Sequence, residues 1–310
     1  MRGYADNPQG VSQMDKGMDT DTDTDTRASL HGQPLAFLPH HQEEAEQAAR
    51  GIGGSLTMSR ALAESAHGLT LNEARVMMLA MRCVDPRLTP FKYARNGYVK
   101  VRVTAAEFAQ LADMKVPADG YTPRAAYEGL KAACEKLYER TASWTDGKRK
   151  VHMRWVWKAT YHEGEAWAEV CFAPDMTQHI FMLGEKFVRY RLELARGLRS
   201  VYSTNLLRLL MTQKDTGYKT ITLEDFRASM EVPPTYRYAD IKRYAIVPAV
   251  KELNEKADLL ITWGETKRGR AVYSLQFKFK FMTHDSLDDQ ALEQARPTEA
   301  TQEVFPELSA

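Results

Sequence analysis

Three charged residues in the second half of the sequence have side chains suited to reading the bases of a nucleic acid. Arg237, Asp240 and Arg243 recur at three-residue steps. Arginine can donate two hydrogen bonds to O6 and N7 of guanine, and aspartate can accept one from N4 of cytosine. The same spacing is equally typical of a charged, solvated helix face with an ion pair between residues three apart. The spacing alone leaves both interpretations open.

The apolar residues of the same segment predict the helix that carries these side chains. They recur at four-residue steps and mark its buried side as Ile241, Ala245, Ala249 and Leu253. At about 100° per residue, Arg237, Asp240 and Arg243 fall on or near the opposite side. Val247 falls there too. Pro248 lies inside the helix and predicts a kink or a new turn, because proline has no N–H.

Two further groups of basic residues lie at predicted hairpin tips. The first tip lies between Trp144 and an alternating run from Val151 to Tyr161, and the second lies between residues 259–263 and 272–281. Basic turns are often only solvated turns, but two at equivalent positions of a repeated fold favour contact with phosphates. The tip residues are Lys148, Arg149 and Lys150 in the first hairpin and Lys267, Arg268 and Arg270 in the second.

A helix in the first half carries a comparable outward face. Thr122 and Pro123 predict its N-cap and its first helical residue. Its buried side is predicted as Ala126, Leu130, Ala133 and Leu137. We expect contacts with a nucleic-acid backbone from residues that face outward near its N-terminal end. Four residues face outward there, Arg124, Tyr127, Glu128 and Lys131, and the contacts are expected from Arg124, Tyr127 and Lys131.

The sequence lacks the short motifs of several enzyme classes. No G-x-x-x-x-G-K-[ST] occurs, and the glycines from Gly51 fail the dinucleotide fingerprint because Leu56 stands at its third glycine position. No two of the eight histidines are two residues apart, so the His-x-His metal site of a nicking endonuclease is missing. Tyr236 and Tyr238 are candidate DNA-cleaving nucleophiles only beside a metal or a basic cradle. We expect no enzyme, no cofactor and no metal site.

The net charge of +1 averages three regions of different sign. Residues 1–54 carry a net charge of −5 and residues 283–310 one of −6, whereas residues 55–282 carry +12. A body this basic favours a polyanionic partner, and double-stranded DNA is the first candidate. The two acidic ends have almost no apolar periodicity and predict disordered tails.

The body of the chain contains a faint internal repeat. Residues 103–108 (VTAAEF) resemble 221–226 (ITLEDF), and residues 133–140 resemble 249–256. Each half reads as helix, strand, two helices and a basic hairpin, with the opening helices predicted at 72–84 and 200–214 and the short strands at 98–103 and 218–221. Three helices followed by a hairpin indicate a winged helix, so we predict an α+β fold with two tandem winged-helix domains.

Membrane insertion and export are not expected. The longest apolar run, from Val76 to Met81, is far shorter than the roughly 20 residues of a membrane span. The N-terminal residues form no apolar stretch typical of an export signal. Cys83, Cys134 and Cys171 lie far apart in sequence and are predicted to be core thiols. The sequence therefore predicts a cytoplasmic protein with no membrane partner.

Over residues 56–281 the sequence resembles the plasmid replication initiator (Rep) family, whose members bind iterons. The resemblance is strongest in residues 69–75, 133–140, 201–210 and 238–254, and in the tip at 267–270. It implies two tandem winged helices related by pseudo-two-fold symmetry. It also implies that the second domain's helix makes the principal base contacts, through Arg237, Asp240 and Arg243, and we add Tyr238 and Lys242 as DNA-binding residues of that helix. The acidic N-terminal tail and Tyr244, where many relatives have a basic residue, depart from the family pattern.

The resemblance also implies a non-enzymatic function in bacteria. Monomers would bind tandem iterons at a plasmid origin, help to open it, and recruit the host's chromosomal initiator and replicative helicase. Homodimers, in equilibrium with monomers, would bind an inverted repeat at the operator of their own gene and repress it. A rolling-circle nicking enzyme and a transcription repressor without origin activity are the alternatives.

The predicted domain borders follow from the repeat and the charge pattern. An acidic tail at 1–54 precedes a first winged helix at 55–184, for which the resemblance implies backbone contacts and the dimer interface. A second winged helix at 185–282 would supply the principal DNA recognition. An acidic tail at 283–310 follows it.

Overall fold

The computed structural model describes residues 53–84, 99–115, 122–162, 164–180 and 187–282. The first part of the fold consists, in chain order, of β1 (Ser55–Ser59), α1 (Arg60–Glu64), α2 (Leu71–Arg82), β2 (Lys100–Thr104), α3 (Ala105–Leu111), α4 (Arg124–Leu137), β3 (Thr141–Asp146), β4 (Arg149–Arg154), β5 (Val156–His162), β6 (Trp167–Phe172), α5 (Pro174–Thr177) and β7 (Phe187–Arg191).

The second part begins with a 3₁₀ turn and contains one long helix in three segments. Its elements are the 3₁₀ turn (Leu192–Ala195), α6 (Val201–Met211), β8 (Tyr218–Thr222), α7 (Leu223–Met230), α8 (Tyr238–Asp240), a π-helical turn (Ile241–Ile246), α9 (Val247–Lys256), β9 (Leu259–Arg268) and β10 (Ala271–Phe281). Asp240 and Val247 have helical backbone angles at the two junctions. We therefore treat α8, the π-helical turn and α9 as one continuous helix, the 238–256 helix.

Two three-stranded antiparallel sheets share one strand order. β6 lies between β2 and β5, and β10 lies between β8 and β9. A helix precedes the first strand of each sheet, two helices follow that strand, and a hairpin joins the other two strands. This is the order of a winged helix. The prediction of an α+β fold with two tandem winged helices is confirmed.

The threonines that open α3 and α7 act as the predicted N-caps. Thr104 Oγ1 accepts a hydrogen bond from the N–H of Glu107 (3.2 Å), whose carboxylate accepts one from the N–H of Thr104 (2.8 Å). Thr222 Oγ1 accepts from the N–H of Asp225 (3.1 Å). These bonds satisfy N–H groups that the start of a helix leaves unpaired. Both helices then bury their predicted core residues, Phe108 and Phe226.

The hairpin with the first basic tip is not the wing of the first domain. β3 and β4 form a separate two-stranded sheet, to which Ala66 adds a bridge at Ser143. The alternating run predicted from Val151 to Tyr161 breaks at Trp155, which is fully buried and donates its Nε1–H to the carbonyl of His67 (2.8 Å). The chain changes sheet there, and the wing is the later turn between β5 and β6. The prediction that the two basic tips are equivalent is wrong.

Some helix borders also differ from the predicted ones. Pro123, not Thr122, is the N-cap of α4, because its ψ of 137° lies outside the helical region and leaves Arg124 as the first helical residue. The opening helices α2 and α6 end before the predicted Val84 and Lys214. The predicted buried stripe of α4 is confirmed at Ala126, Leu130, Ala133 and Leu137.

The 238–256 helix buries the predicted stripe, whose residues are all inaccessible to solvent: Ile241, Ala245, Ala249 and Leu253. On a regular α-helix, residues four apart drift by about 40° around the axis at each step. The π-helical turn offsets this drift because it holds more residues per turn, and the N–H of Val247 bonds to the carbonyl of Lys242, five residues back. Pro248 lies in the first turn of α9, so a new segment starts there, as predicted.

The two domains contact each other around α1 and the turn that follows it. Arg208 of α6 is buried, and its guanidinium donates to carbonyls of α1 and to the carbonyl of Ser65 (2.9 Å). The Glu231 carboxylate accepts from the N–H groups of His67 (2.8 Å) and Gly68 (3.0 Å). A cation thus binds the carbonyls of this segment and an anion binds its N–H groups. These contacts form what we name the interdomain clasp.

His67 lies in the interdomain clasp and gives the fold a pH-dependent stability. Burial, followed by the charge of Arg208, lowers the pKa of His67 well below its usual value. The folded protein holds this imidazole neutral, whereas the unfolded chain protonates it near pH 6.5. The unfolded state then binds the extra proton, so the free energy of unfolding is expected to fall below about pH 6.5, by up to about 1.4 kcal/mol per pH unit.

Urea titrations at about pH 7.5 and pH 5.5 measure this effect. Burial also lowers the pKa of His179, so the comparison that isolates His67 is with a His67→Gln variant, whose stability should depend less on pH. Equal pH dependence in the two proteins would contradict the assignment to His67.

Two of the three cysteines are core thiols, as predicted. Cys134 and Cys171 are buried, and burial raises the pKa of the first to about 12 and of the second to about 11. Both thiols are therefore protonated near neutral pH. Cys83 is half-buried.

The predicted tails at 1–54 and 283–310 lie outside the described residues, except for Gly53 and Gly54. The predicted domain border at residue 184 lies in the undescribed segment 181–186. On either side of that segment, β7 pairs with β1 in a two-stranded antiparallel sheet. The domain borders stay predictions.

Candidate nucleic-acid interface

The outer side of the 238–256 helix carries the residues predicted to read bases. Arg237, at the N-cap, and Arg243 are both exposed, as is Lys242. Asp240 is half-buried, and its carboxylate accepts a hydrogen bond from the N–H of Arg237 (2.9 Å). Asp240 therefore closes the first turn of the helix with one oxygen. Its role in base contact stays a prediction.

Tyr238 is directed toward the wing of its own domain. Its hydroxyl donates to the carboxylate of Glu265 on β9, and its ring packs on the core. Burial, together with this hydrogen bond to a carboxylate, raises the pKa of Tyr238. The hydroxyl is therefore protonated at neutral pH and holds the start of the helix against the wing. Tyr238 was predicted as a DNA contact, and its placement gives it this positioning function.

Further contacts hold the wing of the second domain beside the helix. The Lys242 ammonium lies 5.3 Å from the ring centre of Trp263 on β9. The Arg268 guanidinium stacks 3.5 Å from the ring centre of Tyr273 on β10. Helix and wing therefore present their cations on adjoining elements. We name this set the basic face: Arg237, Lys242, Arg243, Lys267, Arg268 and Arg270.

Electrostatics around Glu265 link the two parts of the basic face. A hydrogen bond from Tyr238 lowers the pKa of Glu265, and the charges of Lys242 and Lys267 lower it further. The Lys267 ammonium lies 3.5 Å from the Glu265 carboxylate. Glu265 thus stays ionised and orders cations of both helix and wing. Sequence reasoning missed Glu265, Trp263 and Tyr273. The contacts of Glu265 with Tyr238 and of Trp263 with Lys242 join residues far apart in the chain, whereas that of Tyr273 with Arg268 lies within one hairpin.

The outward residues of α4 are only partly available for contact. Arg124 is 92% exposed and pairs with Glu128 (2.8 Å), one turn along the helix. Tyr127 packs against the core with part of its ring, and Lys131 is half-buried. The outward direction predicted for Arg124 and Glu128 is confirmed. The backbone contacts predicted for α4 stay predictions.

The β3–β4 hairpin brings its three predicted cations to one exposed tip. Lys148 lies in the two-residue turn, and Arg149 and Lys150 begin β4, all exposed. Within β3, Trp144 contacts His179 edge to face, with ring centres 5.0 Å apart. The tip is an addition to the winged-helix fold, and its contact with phosphates stays a prediction.

The true wing of the first domain has different chemistry. The rings of His162 and Trp167 stack with centres 3.6 Å apart, and Arg102 lies 4.5 Å from the ring centre of Trp167. Trp167 donates its Nε1–H to Glu165 in the turn (2.6 Å). An aromatic stack with an acidic turn is poorly suited to phosphates. Within the first domain, the β3–β4 tip is better suited to them.

In the part of the chain that the structure describes, no group of three or more His, Cys, Asp or Glu side chains is placed to hold a metal ion. None of the described helices is long and apolar enough to cross a membrane.

The comparisons with known proteins agree with this architecture. A family model described as initiator replication protein, WH1, matches residues 55–211, and one described as initiator Rep protein, WH2, matches residues 222–279. The chain belongs to the initiator replication protein family. The first matched part contains the sheet of β2, β6 and β5, and the second contains the hairpin of β9 and most of β10.

The chain of this initiator family member is similar to two solved structures. The Pi initiator protein in complex with iteron DNA is 20% identical, with a TM-score of 0.59, and the match covers 73% of this chain and 96% of that chain. Domains 2 and 3 of RctB are 9% identical with a TM-score of 0.40, and the match covers 69% of this chain and 82% of that one. The likeness to Pi supports the tandem winged-helix fold.

Proposed function

We propose that this initiator family member is a sequence-specific DNA-binding protein that starts plasmid replication from tandem iterons. The observation that carries the proposal is the basic face, in which an exposed helix with two arginines and an adjoining basic wing form one surface. Family membership and the iteron DNA bound by the Pi protein support the same function. The protein acts by binding, without catalysis.

The two parts of the basic face suit different parts of a duplex. Arg237 and Arg243 project from a helix whose width fits the major groove, where guanine offers two acceptors to one guanidinium. Lys267, Arg268 and Arg270 extend from the wing, where flexible cations match phosphates and carry no sequence information. In the first domain, the β3–β4 tip and Arg124 extend the phosphate contacts.

Assembly on an origin supplies the rest of the proposed function. Bound monomers help to open the adjacent duplex and recruit the host's chromosomal initiator and replicative helicase. Dimers bind an inverted repeat at the operator of the initiator's own gene and repress it. Family membership supports these steps.

Substitutions in the helix and in the wing are expected to give different binding signatures. Arg243→Ala or Arg237→Ala should cost about 1–3 kcal/mol at the specific site and relax preference at one base pair, because a bidentate base contact is lost. Lys267→Ala should weaken binding to all sequences alike. The measurement is competition binding against single-base variants of a duplex that the full chain selects from a random pool.

Arg124→Ala and Lys131→Ala serve as the first-domain comparison and should behave like Lys267→Ala. If these two variants change which base is preferred, and the variants at Arg237 and Arg243 do not, the domain roles are reversed. Failure of the full chain to select any sequence would contradict the proposed function itself.

A further inference from the structure

Two large apolar side chains lie exposed beside the arginine that is proposed to read bases. Tyr244 is 47% exposed and Val247 is 46% exposed, both on the outer side of the 238–256 helix. Apolar surface that stays exposed does not stabilise the fold, because the favourable free energy comes from burying apolar surface. Both residues stand next to a cation, because Arg243 precedes Tyr244 in sequence and lies one turn before Val247.

Contacts with neighbours restrict the Tyr244 side chain, and the rotamer preference of a β-branched residue restricts that of Val247. The Arg243 guanidinium lies 5.2 Å from the centre of the Tyr244 ring. The centre of the Tyr236 ring lies 5.7 Å from the same point. Val247 is branched at Cβ and adopts essentially one rotamer in a helix. The helix therefore presents a preorganised apolar spot within the basic face, which reduces the entropy lost on binding.

We propose that Val247, with Tyr244 beside it, selects thymine by contacting the C5-methyl group of that base in the major groove. This inference rests on the proposed function and specifies a base that it reads. Thymine is the base whose major-groove edge carries a methyl group, and apolar side chains recognise it by direct contact. Arg243 and Val247 lie four residues apart, about one turn of the helix, so they address base pairs close to each other.

The charges around the spot favour DNA over a protein partner. Arg243 lies one turn before Val247, and exposed Lys251 lies one turn after Val247. Lys242 precedes Arg243 on the same helix. An apolar protein surface would have to desolvate these cations, whereas a duplex pairs them with phosphates and acceptor atoms.

Deoxyuridine provides a probe that removes only the methyl group. Each thymine of the duplex selected by the full chain is replaced in turn by deoxyuridine, which keeps every hydrogen-bonding group. The wild-type protein is expected to lose about fourfold in affinity at one or two positions, the value for one methyl group removed from contact. In Val247→Ala the loss at those positions should disappear, so that thymine and deoxyuridine bind alike.

Leu260→Ala is the matched control, because Leu260 is 42% exposed on β9 and is no part of the basic face. It should keep the full sensitivity to deoxyuridine. Circular dichroism of each variant establishes that the fold is intact. If the wild-type protein selects a sequence but tolerates deoxyuridine everywhere, the inference is overturned while the proposed function stands, and a protein partner becomes the explanation for the exposed spot. Equal deoxyuridine sensitivity in wild type and Val247→Ala also overturns it.

Discussion

Replacing Arg208 with methionine is expected to lower the free energy of unfolding by about 2–4 kcal/mol, because buried carbonyls lose their donor and each unsatisfied group costs about 1–3 kcal/mol. Burial lowers the pKa of Arg208 to about 10, so placing this charge in the interior has a cost that methionine removes. Removing a buried charge is often neutral when its partners are replaced too. Here the partners are the Asn205 side-chain oxygen and the backbone carbonyls of Leu62, Ala63, Ser65 and Ser229, and they remain. The Leu62 carbonyl keeps the Ser65 hydroxyl as a donor (2.7 Å), so the loss falls on the others.

Urea unfolding followed by circular dichroism measures the change, with Arg196→Met as the control. Arg196 is exposed and pairs with Asp113 (3.1 Å), so its loss is expected to cost less than about 1 kcal/mol. If Arg208→Met also lowers the free energy of unfolding by less than about 1 kcal/mol, water replaces the guanidinium at the interdomain clasp. The clasp would then contribute little to stability.

Raising the salt concentration from about 50 to 200 mM is expected to weaken binding to any duplex by about a thousandfold, if the six cations of the two basic tips each contact one phosphate. Each phosphate contact contributes about 0.9 to the slope of log affinity against log salt. Lys267→Ala should reduce the slope by about one. A double variant, Lys148→Ala with Lys150→Ala, should reduce it by about two.

Lys136→Ala is the control for these variants, because Lys136 is exposed near the end of α4 and belongs to neither tip. Its slope should equal that of the wild-type protein. An unchanged slope in the Lys148 and Lys150 double variant would show that the β3–β4 hairpin takes no part in DNA binding. A flat affinity in the wild-type protein would contradict the electrostatic basis of the proposed function.

Features fixed by neighbouring residues were the ones that the sequence predicted well. The N-caps Thr104 and Thr222 follow from a hydroxyl three residues before an acid, a signal contained within one helical turn. The buried stripes of α4 and the 238–256 helix follow from periodicity. From these alone, the order of helices and hairpins already indicated the winged helix.

Features that depend on contacts between residues distant in the chain were not predicted from the sequence. In the sequence, apolar residues alternate from Val151 through Trp155 to Tyr161. Nothing in this local pattern shows that the folded chain leaves one sheet for another at Trp155. The change depends on the hydrogen bond of Trp155 to His67 and on the bridge from Ala66, both far away in sequence. The candidate site shows the same limit, because the hydroxyl of Tyr238 has its partner on β9.

The buried stripe of the 238–256 helix spans one residue more than the buried stripe of α4. The π-helical turn holds the additional residue. The buried stripe of α4 runs from Ala126 to Leu137 and that of the 238–256 helix from Ile241 to Leu253. Any superposition of the two domains therefore needs a one-residue gap in the middle of this helix. With the gap in place, Arg243 aligns with Glu128, and Val247 aligns with Lys131. Two copies of one scaffold thus carry opposite side-chain chemistry at the same places, an acid for an arginine and a cation for an apolar group.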